Sequence, residues 1–181
     1  MDNKISMVIG SWGSYNECND RALGSKWLCL NDYTKWEDVV EELKKEGFKL
    51  DGIDEELFVQ DIEGFPTSGV NWDYESLRKV FETLSDSGVL YDDYKYKIMS
   101  NYLEVKNWDE WCELVDDNGD AWDIDIILYE DCDWHDIGYS FMHECYQIPE
   151  CLDDYIDYER WGEQLQFEGF YETSDGILEI R

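Results

Sequence analysis

The chain has 181 residues, of which 45 are Asp or Glu against 14 Lys or Arg, giving a formal net charge of −31 at pH 7. A charge of that sign and size excludes nucleic acid and anionic membranes as direct partners and favours cationic ones, such as a DNA-binding protein, a polyamine or metal ions. With 43% hydrophobic and 16% aromatic residues, the sequence is also too rich in core material for a solvated acidic coil.

Residues 5–11 read as a strand, and after a polar loop holding Asn16, Asn19 and Gly24, residues 26–30 read as a second. Thr34 with Glu37 three positions on predicts a capping box, and Trp36, Val39, Val40 and Leu43 then form one apolar face of a helix that ends near Gly47. Residues 57–62 complete a ββαβ unit, and the Gly64-to-Gly69 stretch is the linker-like punctuation after it. From Asp73 the period becomes helical: Leu77, Val80, Phe81 and Leu84 share a face closed by Gly88, and residues 92–103 continue with Tyr94, Ile98 and Tyr102.

Residues 107–159 hold 18 Asp or Glu, ten aromatic residues and no Lys or Arg. Asn107 predicts the cap of a helix whose Trp108, Trp111, Cys112 and Val115 face inward, leaving Asp109, Glu113 and Asp116 on one outer line with Glu110 and Asp117 beside it. Trp122, Ile124, Ile126 and Leu128 alternate with Asp123 and Asp125 as a strand does. Asp133 predicts the cap of a helix that keeps Trp134, Ile137, Gly138, Phe141, Met142 and Cys145 in period. Pro149 restarts a short acidic turn through Asp153 and Asp154, Asp157 caps a helix with Tyr158, Trp161 and Leu165, and residues 167–180 read as a hairpin turning at Asp175-Gly176. The whole is an α+β chain of three small domains: a ββαβ unit over 1–64, a helical bundle over 65–118 and an acidic α+β unit over 119–181.

Several motifs admit both a chemical and a plainer structural reading. Asp116-Asp117-Asn118-Gly119-Asp120 suggests a calcium loop, but with Gly119 at the sixth position Leu114 falls where a carboxylate is required, so a polar turn fits better. Cys132, His135, His143, Cys145 and Cys151 are zinc-ligand types at spacings that match no closed tetrahedral set, and core thiols account for most of the cysteines. An acidic cation-binding module, for calcium or zinc, is the alternative to a protein-binding role. No nucleophile elbow, HExxH, phosphate loop or dinucleotide fingerprint occurs, and acids spread over outer helix faces do not make a catalytic pair, so the expectation is that the chain is no enzyme and needs no cofactor. The six cysteines form no CxxC pair, and neither a signal-peptide pattern nor a membrane-length apolar run is present, which predicts a soluble cytoplasmic protein with reduced thiols.

Three segments, in order, carry a family likeness: Gly24-Ser25-Lys26-Trp27-Leu28-Cys29-Leu30-Asn31-Asp32-Tyr33, then Glu55-Glu56-Leu57-Phe58-Val59-Gln60-Asp61-Ile62-Glu63-Gly64, then Ile148-Pro149-Glu150 followed by Tyr155-Ile156-Asp157-Tyr158-Glu159. Together with the acidic charge, they resemble the ArdA antirestriction proteins over nearly the whole chain. The resemblance implies an elongated three-domain molecule, carried by mobile genetic elements, that dimerises through its C-terminal part and occupies the DNA-binding groove of type I restriction-modification enzymes without catalysing anything. It implies that carboxylates stand in for DNA phosphates, and the candidates are Asp109, Glu110, Glu113, Asp116, Asp117, Asp120, Asp123, Asp125, Glu130, Asp131, Asp133, Asp136, Glu150, Asp153, Asp154, Asp157 and Glu159. Twice the chain's charge of −31 equals the charge of ~31 base pairs, or roughly 105 Å of duplex, whereas a compact globule of this length has a radius of gyration of ~16 Å. Mutual repulsion among so many carboxylates predicts greater stability near pH 5 than at pH 7, and stabilisation by added salt.

Overall fold

The computed structural model describes residues 3–66, 70–72, 75–118 and 126–181. It is a mixed α+β protein with two small antiparallel sheets and eight α-helices among the described residues. The first sheet has β1 (Ser6–Ser11) at its centre, flanked by the two-residue β2 (Leu28–Cys29) and by β3 (Leu57–Glu63). Between Val8 and Ile9 the register shifts and leaves Gln60 of β3 without a partner on β1, a bulge on the edge strand. Where a polar loop was expected, Ser11 instead starts a short helix, α1 (Trp12–Glu17), by accepting the Ser14 N–H on its side chain. Six residues give too little helical period to register against loop signals, which is why the sequence hides it.

The helix α2 (Trp36–Lys45) buries Val39 and Leu43 as predicted, but the capping box does not form. Lys35 holds the cap position with no side-chain bond, and the Thr34 hydroxyl binds the Asp38 carboxylate at 3.1 Å. Next come α3 (Leu77–Asp86), capped by Ser76, and α4 (Asp93–Val105), capped by Asp92. In α4 Ile98 and Tyr102 face inward, whereas Tyr94, in the first turn, is exposed. The helix α5 (Trp108–Asn118) buries Trp108, Trp111, Cys112 and Val115 as its spacing requires. Its capping box is reciprocal: Glu110 N–H donates to Asn107 at 2.9 Å and Asn107 N–H to the Glu110 carboxylate at 3.1 Å.

The second sheet has the order β4 (Ile126–Glu130), β6 (Gly176–Ile180), β5 (Phe170–Thr173). Thr173 pairs with Gly176, so the hairpin turns on Ser174 and Asp175, and Gly176, at φ +140°, already belongs to the strand. Against this sheet lie α6 (Trp134–Cys145) and α8 (Tyr158–Gln164), with the single turn α7 (Glu150–Asp153) between them in the chain. Two glycines let α6 and α8 touch: a Cβ on Gly138 would lie 2.0 Å from the Tyr158 carbonyl oxygen, and one on Gly162 2.0 Å from that of Trp134. No larger residue fits either position at this spacing.

One apolar core runs from Ile5, Ile9 and Leu43 through Phe81, Met99 and Trp111 to Ile126, Leu128 and Leu178. A second, of Ile137, Leu165, Phe170 and Ile177, fills the space between the second sheet and α6 and α8. Of the thiols expected in cores, Cys112 alone is buried; Cys18, Cys145 and Cys151 are exposed, and Cys29 and Cys132 are half-buried. Cys145 sits in the last turn of α6, beyond the sheet that the rest of its face covers.

Candidate functional site

The predicted acidic surface is built from helix caps and outer faces. On α5 the inward turn of Trp108, Trp111 and Val115 forces Asp109, Glu113, Asp116 and Asp117 outward, and all four are exposed, with Glu110 half-buried at the cap. Residues one turn apart on such a helix place their side chains ~5 to 6 Å apart, close to the spacing at which separate charges act as one field. Cations from the preceding helices touch only the margins of this cluster. Lys79 reaches Asp116 at 3.7 Å and Lys106 reaches Glu110 at 3.9 Å.

The C-terminal acids divide by task. Glu130 is paired with Lys97 at 2.6 Å, and Asp131 continues the turn in a left-handed conformation at φ +55°. Asp133 and Asp136 make the capping box of α6, with bonds of 3.0 and 3.3 Å. The N–H of Asp136 is the main reason that the Asp133 carboxyl lies below the usual range. Asp157 caps α8 by accepting the Arg160 N–H at 3.0 Å. Glu150, Asp154 and Glu159 are exposed, and no side-chain hydrogen bond or ion pair engages them among the described residues.

Asp153 departs from a purely solvated role. Its carboxylate accepts the Tyr158 hydroxyl and lies 3.0 Å from Nε2 of His143, which is itself 3.1 Å from the Tyr158 oxygen. The Tyr158 bond is the largest influence and burial opposes it, but with His143 added the Asp153 carboxyl is lowered. Burial, then the Asp153 carboxylate, pushes Tyr158 up to about 12. This trio ties the end of α6 to α7 and α8, a role that side-chain spacing alone did not reveal. Asp54 was also missed. It is 1% exposed and binds the Ser14 hydroxyl and the Lys49 N–H.

Asp120, Asp123 and Asp125 lie outside the described residues, as do Gly119 of the expected turn and Trp122 and Ile124 of the expected strand, whereas Asp116, Asp117 and Asn118 end α5. Of the fourteen remaining candidates, twelve are exposed and two, Glu110 and Asp153, half-buried. The residues of zinc-ligand type are not gathered into one group among the described residues. Asp133, His135 and Asp136 are the one cluster there whose ligand atoms lie within 4.8 Å of one another, and both of its carboxylates are committed to the helix cap.

These positions define an acidic α+β protein whose carboxylates are carried on helix caps and outer helix faces. A family model described as Antirestriction protein (ArdA) matches residues 7–179. The chain belongs to the ArdA family of antirestriction proteins, a non-catalytic family that acts against restriction enzymes. None of the curated proteins matches it. No helix among the described residues is long and apolar enough to cross a membrane.

Proposed function

We propose that this protein is a DNA mimic that occupies the DNA-binding groove of a type I restriction-modification enzyme, working in the cytoplasm as a homodimer with the three-domain division given above. The observation that carries this reading is the α5 surface, where five carboxylates are placed on a helix with a fully buried opposite face, so that charge is held on a stiff support. A groove lined with Lys and Arg for duplex phosphates gains from such a surface what it gains from DNA, by exchanging diffuse counterions for fixed charges. Family membership supports a restriction enzyme as the target, and the charge density supports mimicry as the mode of binding.

Competition between the purified protein and duplex DNA for a type I methyltransferase core tests this. Displacement of DNA that weakens steeply as salt rises is the expected result. Binding that leaves DNA in place, or that ignores salt, would remove the mimic reading.

A further inference from the structure

Beside the first sheet lies a cleft of about 540 Å³ between the start of α1, the start of α2, the segment leading into β3 and the first turn of α3. Its apolar surfaces are Trp12, Trp36, Leu57 and Leu77, and its rim carries Glu55, Glu56, Glu75 and Arg78. We infer that this cleft is a receptor for a guanidinium group, the side chain of an arginine presented by a protein partner. The inference goes beyond the field-like DNA mimicry above and is independent of it, because it concerns a shaped aromatic site and not the acidic helices.

The rings are positioned for this. Trp12 is held by its backbone N–H, which donates to the Glu56 carbonyl at 3.0 Å, and its indole stacks on Phe58 with centroids 4.2 Å apart and planes 23° apart. Tyr15 meets both rings edge-on, so the indole is fixed from one side while 37% of the residue stays open to solvent. Trp36, which also lines the cleft, leans on buried Phe81 with ring centroids 6.1 Å apart. An indole held in place at a cleft with part of its surface open offers the negative face of its ring, and a flat cation is the ligand that such a face favours.

Charge sets the sign of the guest. Glu55 and Glu56 are exposed and Glu75 half-buried. Arg78 does not cancel them, since its guanidinium is directed to Glu82 at 2.7 Å and Glu37 at 3.6 Å, neither of which lines the cleft. The partial positive charges at the starts of α1, α2 and α3 oppose a cation, but they amount to at most about half a charge each, and Ser11 already takes the Ser14 N–H of α1 and Ser76 the Lys79 N–H of α3. Guanidinium suits the cleft better than ammonium because it is planar, weakly hydrated and able to stack while its edge reaches carboxylates.

The test is titration of the intact protein with N-acetylarginine amide, read at the indole N–H resonances, with N-acetylcitrulline amide as the neutral isostere and N-acetyllysine amide as the compact cation. Trp12→Phe assigns the Trp12 signal and keeps a ring against Phe58. Saturable shifts confined to Trp12 and Trp36 are expected, with citrulline at least about tenfold weaker and lysine weaker than arginine. A Trp12→Leu change should weaken binding by about 3- to 30-fold. The exposed-rim variant E55Q/E56Q/E75Q should weaken it similarly while leaving the folded spectrum intact, and neutralising the α5 acids should leave it unchanged. Three outcomes would overturn the proposal: equal response to citrulline, shifts spread evenly over the acidic surface, or the same indole shifts produced by raising protein concentration alone, which would make a second copy the occupant. Loss of DNA competition with arginine binding intact would remove the mimicry reading and leave this one standing.

Discussion

Asp54 has its carboxylate inside the protein, where burial alone would raise its pKa; the Lys49 N–H, then the Ser14 and Ser11 hydroxyls, outweigh that and lower it. A folded-state pKa below the unfolded one adds stability that is fully present above about pH 4 and lost as pH falls through the folded value. Asp54→Asn should therefore cost ~1–3 kcal/mol at neutral pH and flatten the acid limb of stability, measured by urea unfolding from about pH 2.5 to pH 7. Asp133 and Asp153, also lowered, contribute in the same acid window. Trp111 makes a different kind of test. It is 1% exposed, and its indole N–H has no hydrogen-bond partner among the described residues. Trp111→Ala should cost ~3–5 kcal/mol, whereas Trp111→Phe should cost clearly less, because it keeps a ring beside Tyr102 and removes an unsatisfied donor.

At the scale of elements, α5 carries acids at both ends. Asp109 and Glu110 in its first turn favour the helix, while Asp116 and Asp117 near its last turn oppose it. Asp117→Asn should thus raise stability by ~0.3–1 kcal/mol, and Asp116→Asn by less, since it also gives up the exposed contact with Lys79. Replacing Asp109, Glu110, Glu113, Asp116 and Asp117 together by Asn and Gln should weaken target binding and flatten its salt dependence, while each single change has little effect. A single neutralisation that abolished inhibition without unfolding would sink a distributed mechanism. Gly138→Ala should destabilise the packing of α6 on α8 by ~1–3 kcal/mol or more, because the added methyl meets a backbone carbonyl that cannot turn aside. Helices with long apolar periods, such as α3 and α5, were legible in the sequence, and so were the Asn107, Asp133 and Asp157 caps. The short α1 and the missing Thr34 cap were not, since each depends on one backbone bond or one side-chain rotamer. Nor was the Asp153–His143–Tyr158 cluster legible, because it joins three elements whose approach is set by Gly138 and Gly162.

For the whole molecule, repulsion among 45 acidic side chains should make the melting temperature at pH 7 rise when salt is raised from about 50 to 500 mM, and should leave the protein more stable near pH 5 than at pH 7. Calorimetric melts at the two pH values and the two salt concentrations measure both effects, and the acid limb set by Asp54 begins only below that range. The two sheets were foreseeable as sets of strands, but the continuity of the main core from Ile5 to Leu178 was not, because periodicity within a segment says nothing about which segments meet. One junction shows what that continuity achieves. At the tip of the β5–β6 hairpin, Ser174 N–H donates to Glu104 at 2.8 Å and the Asn101 amide donates to the Asp175 carboxylate at 3.0 Å, while the same amide holds the Lys97 carbonyl at 2.8 Å and Asn101 itself is 0% exposed. This clasp anchors the last sheet to α4, 74 positions earlier in the chain. If the protein works as the proposed mimic of a stiff polymer, its charges must stay in phase, as marks on a ruler hold their intervals, and a loose joint would blur the pattern and add an entropic penalty to every encounter. Cutting the clasp with Asn101→Ala and Ser174→Ala, which removes the Asp175 contact and the Ser174 hydroxyl bond to Glu104, should leave each charge in place yet slow formation of the complex and shorten its lifetime, which surface-binding kinetics against the methyltransferase core would read directly.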